Sequence, residues 1–235
     1  MNTLLIRLSA PMQSWGTQSR FNERDTGFEP SKSGVLGLLC AALGIDREDD
    51  DGLQPLTSLR MGIRVDRDGL LQVDYHTAKN VLTAKAKGKA ITKSDIKETE
   101  LSNRYYLANA VFLIGLESED LALLERAQAA LHKPVWALFL GRKSFVPSEP
   151  IPLEAGLRIG ETLEQALQSF PCLCEPEKEK LRVVLEDKDG SIVRTDQPLS
   201  FSRERRKFAP RRVSVTFYDA PESRKSAGKP IKEIA

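Results

Sequence analysis

The sequence is poor in the residues that most catalytic and metal chemistry needs: two histidines, three cysteines and two tryptophans among 235 residues. Cys40, Cys172 and Cys174 are an odd set with no His or Cys at zinc-ligand spacing, so buried or incidental thiols are expected and a metal site is not. A Walker loop, a dinucleotide fingerprint and an HExxH motif are all missing, which leaves no cofactor to expect. No apolar run approaches the roughly 18 residues that span a bilayer. The opening MNTLLIRLSAPMQ lacks a signal peptide's long apolar segment and small-residue cleavage site, so the expected compartment is the cytoplasm, with no membrane partner. There is also no internal repeat at solenoid or propeller period.

What is present suits a globular protein of one large domain or two small ones: 40% of the residues are hydrophobic and 29% charged. The net charge of +2 conceals strong local asymmetry. Asp46 to Asp51 (DREDDD) is acidic. Lys79 to Arg104 carries seven Lys/Arg against three Asp/Glu, and Arg203 to Arg212 (RERRKFAPRR) carries six against one. One basic run alone reads as a solvated loop; two separate runs point to a polyanion.

Alternation of Leu4, Ile6 and Leu8 predicts a first strand, stopped by Pro11. Pro30 to Ser33 then opens a helix through Val35, Leu36, Leu39 and Leu43, closed at Gly44. Leu59 to Val65 and Leu70 to Val73 flank Asp66-Arg67-Asp68-Gly69, a turn signal that predicts a β-hairpin. The Lys-, Ala- and Thr-rich stretch 79–104 has too few large apolar residues for a core face and reads as a projecting arm. A strand over Asn109 to Leu116, a helix capped by Ser118, and a strand over Trp136 to Leu140 complete the first half. If the hairpin's second strand runs out into the arm and back, the order is β-α-β-β-α-β, the ferredoxin-like arrangement of RNA-recognition folds.

Pro147, Pro150 and Pro152 mark a connector, and Thr162 with Gln165 forms a capping box for a short helix ending near Phe170. Strands are predicted at Leu181 to Leu185, Ile192 to Thr195 and Arg212 to Phe217. The expected class is therefore α+β. Its parts are a ferredoxin-like βαββαβ domain over 1–146 with a thumb arm at 79–104, a smaller β-rich region over 147–220, and a polar tail over 221–235.

Gly34 and Gly37 lie within the helical pattern, where close packing of helix on sheet explains them better than a phosphate loop does. Gly141-Arg142-Lys143-Ser144 follows a predicted strand; a solvated turn and a turn offering two cations and a hydroxyl to a phosphate both fit it. His76 stands beside Tyr75 and near Lys79, a trio that in principle suits metal-free RNA cleavage. Nothing in the sequence fixes its pKa or supplies a partner acid, so a strand-end histidine bonded to backbone or RNA is the preferred reading. Phe201 to Phe208 interleaves cations with aromatics, the combination that holds phosphates and stacks unpaired bases, although both phenylalanines also suit a core.

The block Ala10-Pro11-Met12-Gln13-Ser14-Trp15-Gly16, with Arg24, Thr26 and Pro30 to Leu39, resembles the opening of the Cas5 family of CRISPR-associated proteins, in its type I-E branch. Tyr75-His76-Thr77, Leu140 to Ser144 and Phe208 to Arg212 follow in matching order, so the likeness spans nearly the whole chain. The thumb departs from the family by being Lys-rich, and Pro210 with Arg212 alters the late motif. The resemblance implies a repeat-associated RNA-binding fold that holds the five-prime handle of a guide RNA and meets the backbone subunit and the large subunit of the Cascade complex. It implies a non-cutting protein, while a related type I-C branch is a metal-independent endonuclease. A subunit that meets only protein is the third class. With the basic segments, the resemblance nominates as RNA-binding Met12, Gln13, Trp15, Lys32, Ser33, Tyr75, His76, Lys79, Arg104, Arg142, Lys143, Ser144, Arg203, Arg205, Arg206, Lys207, Phe208 and Arg211. No residue is assigned as catalytic.

Overall fold

The computed structural model describes residues 1–16, 22–82 and 95–221. The tip of the expected arm (83–94) and all but the first residue of the expected tail lie outside the described residues. In chain order the elements are β1 (Asn2–Ser9), β2 (Met12–Gln13), β3 (Glu23–Arg24), α1 (Lys32–Leu43), α2 (Asp50–Thr57), β4 (Arg60–Arg67), β5 (Leu70–Leu82) and β6 (Ile96–Ala108). There follow β7 (Val111–Ser118), α3 (Leu121–His132), β8 (Pro152–Ile159), α4 (Leu163–Ser169), β9 (Lys180–Glu186), β10 (Ile192–Ser200) and β11 (Lys207–Asp219).

One sheet of seven strands runs β10-β11-β9-β4-β7-β1-β8. Its β4-β7-β1-β8 part, with α1 after β1 and α3 after β7, is compatible with the expected βαββαβ unit. The strands β9, β11 and β10 extend this sheet beyond β4. β1 is buried along nearly its whole length because both faces are covered. Leu4, Ile6 and Leu8 join Phe112, Ile114 and Leu116 beneath α1, α2 and α3, while Leu5 and Leu113 face α4. Each such side chain, fully buried, is worth about 1.5 to 3 kcal/mol. Gly62 and Gly115 lie opposite one another, and a Cβ on them would come within 2.7 and 2.5 Å of Leu167 and Leu163, so only glycine lets α4 sit this close.

α1 begins and ends where its caps dictate. The Ser31 hydroxyl accepts from the Gly34 N–H, and Gly44, at φ 75°, donates its N–H to the Cys40 carbonyl. The capping box of Thr162 and Gln165 forms as expected at α4.

Three expectations are corrected, and one element is new. β4 and β5 do not pair: the turn forms, with Gly69 at φ 75°, but β5 leaves the large sheet and pairs only with β6. The reason lies in Asp66, whose carboxylate takes two hydrogen bonds from buried Arg64 and one from the Leu173 N–H, turning the chain end inward. Trp136 to Leu140 is not a strand. The Val135 and Trp136 N–H groups bond instead to the Ala42 and Ala41 carbonyls at the end of α1, and the strand after α3 is β8. α3 is capped by Asp120, two residues later than expected, with Ser118 accepting from the Asp120 N–H. α2, capped by Asp49 within the acidic run, was not anticipated.

The second sheet, β2-β6-β3 with β5 on β6, is the arm and its root. The partners run from Leu70 opposite Ala108 to Leu82 opposite Ile96, so the arm's described part is a long antiparallel ribbon.

Candidate nucleic-acid interface

The loop after β1 is built from the inside. Gln13 is fully buried; its amide nitrogen donates to the carbonyls of Leu8 (3.3 Å) and Ala110 (2.7 Å), and its oxygen accepts from the Trp15 indole at 3.2 Å. Trp15 is 3% exposed, and a Cβ on Gly34 would meet its ring at 2.9 Å, so this glycine does serve close packing. Lys32 and Arg211 are also internal. The Lys32 ammonium is paired with Glu186 and the Arg211 guanidinium with Asp196. Gln13, Trp15, Lys32 and Arg211 therefore hold the site's framework, whereas Met12 is exposed and Ser33 half-buried beside them.

At the root of the arm, Gly141 adopts φ 99°, and a Cβ there would fall 1.9 Å from the Ser14 carbonyl oxygen. That contact presses the Gly141 to Ser144 turn onto the β2 loop, where the Ser14 N–H donates to the Leu140 carbonyl. Arg142 donates to the Tyr105 carbonyl at 2.8 Å and lies over the Phe145 ring at 5.0 Å. Burial, and then the nearby Arg104 guanidinium, push Arg142 below its ordinary value, while Asp74 and Tyr106 oppose them. A guanidinium stays a cation regardless, so Arg142 is a partly buried positive charge with a second cation, Arg104, close by. Lys143 and Ser144 are exposed on the same turn.

His76 sits 4.0 Å from Asp74, the acid that the sequence did not reveal, while Arg104 donates to Ser102. Tyr75 and Lys79 fall on the opposite face of the ribbon from His76, because successive strand residues alternate. The trio suited to RNA cleavage is thus not brought together.

The late basic segment is a tight loop. The Ser202 hydroxyl accepts from the Glu204 and Arg205 N–H groups, and Glu48 accepts from the Arg203 N–H. A hydrogen bond from Ser202, and then that N–H, hold the Glu48 carboxyl below its ordinary value. Arg203, Arg205, Arg206 and Lys207 point to solvent; Arg206 stacks over Phe208 at 5.1 Å, and Phe208 meets Phe201 edge-on. Both phenylalanines are half-buried, so their rings serve the loop's packing and still show a face.

The Gly141 turn and the late loop reach one cleft, through Gly141 on one side and Phe201 and Arg206 on the other. A cavity of about 420 Å³ runs between α1 and the chain at 136–141, with Ser14 and Gly141 at one end and Phe201 and Arg206 at the other. Among the described residues, no group of three or more His, Cys, Asp or Glu is placed to hold a metal ion, and no helix is long and apolar enough to cross a membrane.

A seven-stranded, mostly antiparallel sheet covered by helices and carrying a long two-stranded ribbon defines a protein of mixed α and β structure. The family model described as CRISPR-associated protein (Cas_Cas5) matches residues 3–214, and the chain belongs to the Cas5 family. It is similar to the CRISPR system Cascade subunit CasD of Escherichia coli (strain K12), with 35% identity over 159 residues, 63% of this chain and 68% of that protein. A solved structure described as a CRISPR RNA-guided surveillance complex contains a chain 32% identical, with TM-score 0.76, covering 93% of this chain and 91% of that one. A crystal structure of a Cas protein is 44% identical, with TM-score 0.74, covering 94% and 98%.

Proposed function

We propose that the chain is a non-catalytic subunit of a type I-E surveillance complex, that it holds the five-prime handle of the guide RNA, and that it meets the backbone subunit and anchors the large subunit. The observation that carries this reading is the pairing of cations with aromatic faces: Arg142 lies over Phe145 beside the arm's root, and Arg206 lies over Phe208 at a cleft that Trp136 and Phe201 also line. Cations hold phosphates and aromatic faces stack unpaired bases, which is how single-stranded RNA is gripped. The relatives named above, one from a Cascade and one from an RNA-guided complex, support the same reading. In this reading residues 1–146 form the RNA-binding part, with the arm at 79–104, and residues 147–220 carry the Arg203 to Phe208 loop to it.

The separation of His76 from Tyr75 and Lys79 supports a binding role over cleavage. Repeat RNA incubated with the purified chain in a metal chelator should remain intact on a gel, and crosslinking in the assembled complex should join the chain to the handle. Specific cutting lost in His76→Ala would replace this reading with the endonuclease one. Crosslinks to protein alone would replace it with a purely structural subunit.

A further inference from the structure

We propose that the cleft between α1 and residues 136–141 holds a single unstacked nucleotide, its base against Trp136 and Phe201 and its phosphate at Arg47 and Arg206. This rests on the RNA-binding reading and specifies one position within it. The volume, about 420 Å³, falls in the roughly 300 to 1,000 Å³ range of small-ligand sites.

Gly37 supplies the first argument. A glycine inside a helix costs stability relative to alanine, so its presence needs a reason. At Gly34 the reason is the Trp15 ring. At Gly37 the described residues supply none: among them a Cβ there would meet only Phe201 Cζ, at an ordinary 3.8 Å. The missing side chain leaves room that opens on the cleft, and no described residue fills it.

The opposite wall supplies the second. Trp136 is 45% exposed, a large aromatic face unused by the core. The flanking N–H groups of Trp136 and Leu140 are bonded to Ala41 and Phe145, whereas those of Ala137, Leu138 and Phe139 find no partner among the described residues. Main-chain donors and acceptors beside an aromatic face can read the edge of a splayed base.

Charge selects the occupant. Arg47 and Arg206 line the cleft and form no ion pair among the described residues. Asp46, the acid at the rim, accepts a hydrogen bond from the Glu48 N–H within its own turn, at 3.0 Å. Two unpaired guanidiniums fit a phosphate better than an apolar peptide.

The test uses the full chain and handle-sequence RNA oligonucleotides, each with 2-aminopurine at a different single position. One position should change fluorescence on binding, and Trp136→Ala should abolish that change and weaken binding about 5- to 150-fold, with the salt slope kept. Gly37→Leu should fill the cleft from the helix side, keep or raise the melting temperature, and give the same loss. If both variants are folded and bind like the wild type while Arg142→Ala with Lys143→Ala weakens binding, the nucleotide site is overturned and RNA binding stands. If the wild-type chain and its assembled complex fail to bind handle RNA, both readings fall.

Discussion

The ammonium of Lys32 rests on both carboxylate oxygens of Glu186, at 2.8 and 3.0 Å, with its side chain 1% exposed. Burial pushes Lys32 below its ordinary value, and Glu186 opposes that shift. The Lys32 N–H also donates to Asp196, which takes two further hydrogen bonds from Arg211, so the start of α1 is tied to β9, β10 and β11 at once. Lys32→Ala should therefore cost about 3 kcal/mol in urea unfolding, because it leaves Glu186 half-compensated in the interior. Handle RNA binding by the variant's folded fraction should keep the wild-type salt slope; a lower slope would put Lys32 on the RNA.

Arg203, Arg205 and Arg206 differ from Lys32 in standing in solvent. For single strands each neutralised phosphate adds about 0.7 to the slope of log affinity against log salt, so the triple Ala variant should lower it by about 2. Base preference should hardly change. An unchanged slope, measured on the assembled complex, would place the RNA on another surface.

Among the described residues the arm's outer part pairs only with itself, since β3 reaches no further than Asn103. Cutting at the Thr77–Leu101 pair and replacing residues 78–100 by Asn-Gly should keep one cooperative melt, with stability within about 1 kcal/mol of the parent. A broadened or lost transition would show that the arm supports the core.

Burial raises both Cys40 and Cys172 from the usual 9.0 to about 11. At pH 8 only about one part in a thousand of each is thiolate, so both should resist alkylation until urea is added. Because folded thiols hold their protons more tightly, their contribution to stability is present below pH 9 and lost as the pH rises to about 11. Rapid modification of Cys40 in the native chain would contradict its burial.

The elements legible in the sequence were those whose signals are local. Ser31 and Gly44 bracket α1, Thr162 and Gln165 start α4, and alternation marks β1. What was missed depends on distant partners. Trp136 to Leu140 has the composition of a strand, yet its start is held at the end of α1 by the Trp136 N–H and its end by the Leu140 N–H to Phe145; β8 hid among prolines read as a connector. α2 buries only Leu53 and Leu56 and contains Pro55, which leaves almost no periodicity to see. At the site, Arg142, Lys143 and the 203–207 loop were visible as exposed basic clusters. Whether Lys32 and Arg211 faced in or out could not be read, because their partners Glu186 and Asp196 lie far along the chain. Arg47, Gly37 and Trp136 went unnoticed as a group, since only the fold sets them around one cleft.

The place of β1 between β7 and β8 has a consequence for how the protein is made. Residues 2–9 pair with 111–118 on one side, and residues 2–6 pair with 152–159 on the other, so a strand made early waits for neighbours made late. At about 5 to 20 residues per second the ribosome takes roughly 5 to 20 s to reach the first of them. Throughout that interval Leu4, Leu5, Ile6 and Leu8 have no sheet to join. The nascent chain thus carries an unpaired apolar strand for seconds, which makes this segment the natural client for a chaperone and the natural seed for aggregation when synthesis stalls.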